Sequence, residues 1–435
     1  MARNKRIRRN RRGISVGTIV ALALLVAVVG TSLIILTRVS AGNNVSVDTD
    51  KVLAALQLND LPELTLSEIP IRESGAEATA AQTAKATAAP QATAAPAQKA
   101  TVSLTVGGSL LIQSAVRKSC YYKDAAAWDL TELVPLLSSS MTGDLRIVTL
   151  EDVISDTIKA SDTVVGSCAV ELLRALNVNA VSVGFPNALD QGMEALQGTI
   201  SALEDFTVLG ARAAQDQTAT VITVNGLRVA LLHYTAALSS TGTKKAKKED
   251  SAWMVPMLDE ETAQADIAKA RSDGADIVIV LLNWGADNKA SPTESQKKQA
   301  QQLADAGADV ILGTGTNVVQ TATWLTSASG RQTLCCYSLG CLISDSRDGK
   351  NIAGMLLHLT LSLNSDGTVS FDEVSCTPTY VWRYKSDGAY HYRVVPSNRT
   401  APDGMASEQI SAMTRALTRV QETLDGTPVT IRTGQ

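Results

Sequence analysis

The sequence predicts an α/β protein, a sandwich of layers, preceded by one transmembrane helix and a disordered stalk. Three observations carry this reading. From 259 to 312, helical and strand patterns alternate: an amphipathic run, the unbroken apolar stretch Ile277 to Leu282, a helix with a small apolar face, and a second apolar stretch, Ala308 to Leu312. Hairpin signals flank that unit, Asn225-Gly226 before it and Asn364-Ser365-Asp366-Gly367 after it. Alternation in the middle with hairpins at the sides suits stacked layers of helices and sheets. Ahead of all this lie an uncharged apolar run and a tract of Ala, Thr, Gln and Pro.

A chain of 435 residues with 45% apolar content holds one large core plus appendages. The net charge of -4 hides an asymmetry, because the first 38 residues carry eight of the 39 Lys and Arg and no acid. The remaining body is therefore acidic, which argues against nucleic acid as a partner. Residues 1–13 read as a cytoplasmic basic tail and 14–36 as the membrane span. This places the C-terminal domain outside the cell membrane on a single-pass anchor. The apolar run is longer than the core of a signal peptide, so the anchor reading stands above cleavage after Val39-Ser40-Ala41. Residues 37–100 are an extracytoplasmic linker, Ala/Thr/Pro-rich from 74, with too few apolar groups to offset the entropy of ordering.

Along the domain, Thr101 to Val106 predicts a strand that turns at Gly107-Gly108-Ser109. Asp129 to Leu137 predicts a helix, and Leu145 to Leu150 a strand ending at Glu151. Ser167 caps a helix reaching Leu176, and Val178 to Val183 is a short strand. Asp190 reads as the N-cap of a helix running to Leu203. The hairpin Thr218 to Tyr234 ends in His233-Tyr234-Thr235, and a lone histidine there is foremost a hydrogen-bonding residue. Lys244, Lys245, Lys247 and Lys248 predict a solvated loop. Asp259 to Ser272 is a helix, Ser291-Pro292 opens the next, and Gly307 closes it. Two long strands, Ala353 to Leu363 and Val369 to Pro378, precede a final helix, Ser407 to Leu424. Ligands of α/β sheets bind where loops leave the carboxyl ends of strands, here Asn283 to Asp287 and Gly313 to Asn317. Six cysteines form no Cys-x-x-Cys. Cys120 and Cys168 are expected to form a disulfide, since both sit at helix ends near the first strands; the plainer alternative is small buried residues.

Five stretches share one frame: Asn283-Trp284-Gly285, Pro292-Thr293-Glu294-Ser295-Gln296, Ala306-Gly307-Ala308-Asp309, Gly313-Thr314-Gly315-Thr316-Asn317-Val318-Val319-Gln320 and Tyr337-Ser338-Leu339-Gly340. They resemble the CapA family, linked to capsule and poly-γ-glutamate synthesis, over residues 101–396. The segment 397–435 adds a C-terminal helix and tail. The resemblance implies a metallophosphoesterase-like fold, a layered α/β/β/α sandwich, and a metal site. Yet the family's histidines and aspartate are replaced. The chain has Gly108 where an aspartate is expected, and Phe185, Pro186 and Asn187 where the family has Asn-Asn-His. Asn283, Gly315 and Asn317 stand at further ligand positions.

These replacements point to a membrane-anchored, catalytically degenerate protein of the cell envelope, a binding or scaffold component. Its partners would be an anionic polymer or the complex that makes it. The expected ligand or partner surface is Asn187, Asn283, Trp284, Asp287 and Asn317, with Trp284 alternatively a core residue. Glu151 and His233 are weak catalytic candidates. No cofactor is expected, and the metal option left open is weak Ca²⁺ or Mg²⁺ held by Glu151, Asp287 and the asparagines. The alternative is an active hydrolase with a relocated centre, for which Ser109 and Ser338 are nucleophile candidates without an evident base.

Overall fold

In the computed structural model, residues 100–433 are described, apart from 218 and 348–350. The predicted basic tail, membrane span and stalk lie outside the described residues. Among the described residues, no helix is long and apolar enough to cross a membrane.

Side-chain alternation builds the layers. The first sheet runs in the order β18 (Ala389–Pro396), β17 (Val369–Ser386), β16 (Ala353–Leu363), β1 (Thr101–Leu110), β4 (Leu145–Leu150), β7 (Ala180–Ser182) and β8 (Thr207–Leu209). Two short strands extend it, β15 (Cys341–Ile343) beside β1 and β19 (Thr430–Ile431) beside β17. The second sheet runs β13 (Ala322–Thr326), β14 (Gln332–Cys336), β12 (Val310–Thr314), β11 (Ile277–Asn283), β10 (Leu227–Thr235) and β9 (Thr220–Val224). Two small ribbons, β2 (Tyr121–Tyr122) with β3 (Ala127–Trp128) and β5 (Val153–Ile154) with β6 (Val164–Val165), complete the strands.

Ile277, Ile279 and Leu281 of β11 point into the core between the sheets, with Leu104, Ile147 and Leu357 from the other side. Val278, Val280 and Leu282 point the opposite way, onto α5 (Glu260–Ser272) and α6 (Glu294–Asp305). All seven residues of β11 are buried, as the unbroken apolar run requires of a parallel strand covered on both faces. The outer face of the first sheet packs Val148, Leu150 and Val181 against α2 (Cys168–Ala175) and α3 (Met193–Ala202). The result is the four-layer α/β/β/α arrangement. The smaller α1 (Ser114–Ser119) and α4 (Ser240–Glu249) lie at its periphery. The last helix, α7 (Ser407–Leu424), buries Met413, Ala416 and Val420 in the inter-sheet core. Trp382 of β17 donates its indole N–H to Gln409 of that helix at 3.0 Å.

Several expectations change. Gly107-Gly108-Ser109 does not turn; β1 continues to Leu110, because Ser109 pairs with both Thr149 and Cys341. The helix expected over Asp129 to Leu137 is only a 3-10 turn, Leu130–Leu133, since Pro135 withholds the N–H a continuing helix needs. Asp190 caps nothing. Its carboxylate is taken by Ser239 Oγ and by Asn187 Nδ2, the latter at 2.7 Å. Gly192 opens α3 instead, with Met193 N–H donating to Glu249 at 2.6 Å. The lysine run is helical. Ser239 Oγ accepts from Gly242 N–H, Ala246 anchors the inner face, and Lys247 and Lys248 sit at the end where the helix dipole favours cations. Cys120 and Cys168 are free thiols, not a bridge. Cys120 Sγ faces Ser119 Oγ at 3.5 Å, while Cys168 Sγ is turned toward the Gly166 carbonyl.

Candidate functional site

At the carboxyl ends of β4 and β11 the two sheets are joined by side chains. Glu151 follows β4, is 9% exposed, and accepts at one oxygen from Ser109 Oγ at 2.6 Å and from Asn283 Nδ2 at 3.0 Å. Ser109 comes from the far end of β1 and Asn283 from the last position of β11, so one carboxyl group ties both sheets. Burial raises the Glu151 pKa, with the nearby Asp287 carboxylate adding to the shift and the two hydrogen bonds opposing it. Cys341, at the start of β15, feels Glu151 and Asp287; burial first, then those charges, push its thiol well above the usual range. Its Sγ donates to Asn317 Oδ1 at 3.4 Å. Asp287 is exposed at the mouth.

The structure therefore brings together Glu151, Asn283, Asp287 and Asn317. It adds Ser109 and Cys341 as direct neighbours, of which Cys341 was missed because nothing local in Cys341-Leu342 signals a site. Asn187 is held instead by Asp190, beside the start of α4. Trp284 is not a mouth residue. It is 3% exposed, stacks on Tyr337 with centroids 5.9 Å apart, and donates its indole N–H to the Tyr337 carbonyl at 2.8 Å. The side chain following an inward-facing Asn283 must point outward, into the helix-facing core.

His233 lies deeper between the sheets. A Cβ on Gly184 would stand 2.4 Å from its ring, so glycine there makes room for the imidazole. Both ring nitrogens are buried without a partner among the described residues, as are Ser182 Oγ and Thr235 Oγ1. Burial lowers the His233 pKa to about 3, so at neutral pH the ring is neutral and carries a single N–H. Among the described residues, no hydrogen bond links His233 to Glu151.

The residues do not fit a transition-metal pair. Gly108 carries no ligand, and no side chain has space there, since an added Cβ would lie 2.1 Å from the Gly340 carbonyl oxygen. Asn283 is committed to Glu151, and Gly315, at φ +96°, would bring a Cβ 2.7 Å from Asn283 Oδ1. Phe185 is buried in the helix-side core. Among the described residues, no three His, Cys, Asp or Glu side chains gather at metal-binding separation. A buried floor of Ser109, Glu151 and Asn283 bonded to one another, beneath one exposed carboxylate, Asp287, is the chemistry present.

The motifs that remain intact are scaffold. Thr293 and Gln296 form a capping box on α6, and Gln296 Nε2 donates to Gln320 Oε1 at 3.1 Å, pinning the 313–320 loop to the helix. Asp309, 2% exposed, pairs with Arg271 and with Arg331, the latter at 2.8 Å, and accepts from Val278 N–H. The Gln296–Gln320 bond holds the loop that carries Asn317, while the Asp309 contacts tie the opposite, amino ends of β11 and β12.

A family model described as bacterial capsule synthesis protein PGA_cap matches residues 103–346. The PGA biosynthesis protein CapA of Bacillus subtilis (strain 168) is 26% identical over 204 residues, 46% of this chain and 51% of that protein. The capsule biosynthesis protein CapA of Bacillus anthracis is 28% identical over 212 residues, 47% and 49%. The chain thus spans about half the length of the curated relatives it matches. Among solved structures, Haemophilus influenzae NAD nucleotidase aligns with a TM-score of 0.42 at 11% identity, covering 76% of this chain and 64% of that one. The calcineurin-like phosphoesterase YfkN from Bacillus subtilis aligns with a TM-score of 0.37 at 14% identity, covering 75% and 98%. With the match extending over more than half of its length, this chain belongs to the PGA_cap family of bacterial capsule synthesis proteins, the CapA family.

Proposed function

We propose that this chain is a catalytically degenerate member of its family, with a metallophosphoesterase-like ancestry, acting as a membrane-anchored binding or scaffold component in capsule or poly-γ-glutamate-type polymer synthesis. The observation that carries the reading is the closure at Gly108: the strand position expected to present an aspartate to metal lies against the backbone of Gly340. Two-metal hydrolysis needs several anionic or imidazole ligands on the cations, to activate water and neutralise developing charge. Here the corresponding space is filled by Ser109, Glu151 and Asn283 bonded to one another. The mouth formed by Asp287 and Asn317, above the buried Asn283, offers hydrogen bonds and one charge, suited to holding a polymer segment or a partner loop. The expected N-terminal anchor would keep the domain on the extracytoplasmic side of the cell membrane.

The Ser109–Glu151 hydrogen bond gives the relocated-hydrolase reading its one favourable contact. Ser109 is fully buried, however, so substrate has no approach to its oxygen. Elemental mass spectrometry of the full chain, after incubation with Mn²⁺, Zn²⁺ and Ca²⁺ and gel filtration, tests the proposal. Transition-metal content at background is the expected result. One or two tightly held transition ions per chain, or phosphoester turnover abolished by Glu151→Gln, would overturn it.

A further inference from the structure

The outer face of the first sheet changes character toward the amino end of β4. Cys376 and Leu357 point into the inter-sheet core, so their neighbours Ser375, Thr377 and His358 face outward. The helices pack elsewhere, on Val148, Leu150 and Leu356. Loops frame the remaining polar area into a cavity of about 540 Å³, whose walls include Ser140, Thr142, Thr377, Asn398, Arg399 and Arg432. That volume is in the range of small-molecule sites.

The charges can be assigned. Arg432 is neutralised by Glu373, with Nη2 to Oε1 at 2.7 Å. His358 beneath the floor contacts Thr105 and Thr377 hydroxyls at 3.0 and 2.9 Å, and burial lowers its pKa to about 3, so it is neutral. Arg399 is exposed, and its side-chain contact among the described residues is one 3.3 Å bond to Ser140 Oγ. The cavity therefore presents one uncompensated guanidinium amid hydroxyl groups. Asn398 stands on the same wall, its Nδ2 donating to the Arg432 carbonyl at 2.8 Å.

We propose that this cavity is a binding site for a singly charged, hydroxylated carboxylate of monosaccharide size, a hexuronate. The carboxylate pairs with Arg399, and ring hydroxyls meet the serine and threonine side chains of the walls. One free positive charge matches a carboxylate monoanion better than a phosphate dianion. The site is at the opposite end of β4 from Glu151, so it stands independently of the reading of that site.

Titration calorimetry of the full chain in detergent with glucuronate, glucose, acetate and inorganic phosphate tests it. Saturable glucuronate binding, tighter than glucose or acetate, is expected. Arg399→Gln should weaken it about tenfold, the scale of one charge-assisted hydrogen bond, with an unchanged melting temperature because Arg399 is exposed. Absence of saturable glucuronate binding, equal binding of glucose, preference for phosphate, or full affinity in Arg399→Gln each overturns the proposal.

Discussion

Replacing Gly108 should damage the fold rather than restore a metal ligand. A Cβ at 108 would lie 2.1 Å from Gly340 O, 2.8 Å from Gly340 C and 3.0 Å from Leu339 O, all backbone atoms. No rotamer change relieves that clash; the 338–341 segment has to move. It is pinned by Ser109 N–H to Gly340 O at 3.0 Å, Leu339 N–H to Gly313 O at 3.0 Å and Met355 N–H to Leu339 O at 3.1 Å. Overpacking costs ~1–3 kcal/mol, and each displaced hydrogen bond adds about 1 kcal/mol. Gly108→Ala should therefore lose about 3–5 kcal/mol, which at ~2–4 °C per kcal/mol is a fall in Tm of roughly 10 °C. Gly198→Ala is the control. Gly198 lies within α3 with nothing within 4 Å of the added Cβ, so alanine should raise stability by up to ~1 kcal/mol. The assay is thermal unfolding of the full chain in detergent, followed by circular dichroism. A Gly108→Ala protein melting with the wild type, or a well-folded Gly108→Asp protein that retains Mn²⁺, would refute the closed geometry on which the degenerate reading rests.

Asp152 is fully buried, accepts from Ile112 N–H at 2.9 Å, and has its pKa raised by burial to about 7 from an ordinary 3.8. A raised carboxyl contributes stability that is present below the unfolded pKa and is lost as pH rises through about 7. Asp152→Asn should therefore gain on the wild type by on the order of 4 kcal/mol between pH 4 and 8 in urea unfolding. His233 and His358, with lowered pKa values, act in the opposite sense in both proteins and cancel in the difference. A pH-independent difference would contradict the assignment. Trp284→Ala should cost ~3–5 kcal/mol because the indole is core, and a stable variant with altered ligand binding would return Trp284 to the mouth. Iodoacetamide should modify Cys168 first in the native state, since the other five cysteines are buried; peptide mapping that finds another cysteine labelled ahead of it would contradict this. Intact mass before and after reduction should show no Cys120–Cys168 link, and a two-dalton shift confined to that pair would restore the expected bridge.

The elements visible from local pattern came out with little change. Leu145–Leu150, Ala353–Leu363 and Ser407–Leu424 hold the predicted bounds, because a two- or 3.6-residue period reports which face is buried whatever the partner is. The family frame was legible for the same kind of reason: Thr293 with Gln296, and Gly307 ending α6, are local caps with local signatures. What the sequence by itself determined is thus the α/β class, the bounds of several strands and helices, and the glycines at 108 and 315, where the resemblance implies ligand-bearing residues. Only the tertiary structure decided what occupies the space those ligands would need. Asn283 meets Glu151 across 132 residues, and Gly340 lies over Gly108 across more than half the chain. Neither contact leaves a periodic trace. Trp284 faced the core, not the mouth, because alternation places it opposite Asn283 once Asn283 is turned inward. Asp190 gave up its cap because Ser239, distant in sequence, is close in space. Periodicity records burial along one element; contact between the ends of two sheets depends on their packing, which no single stretch of chain contains.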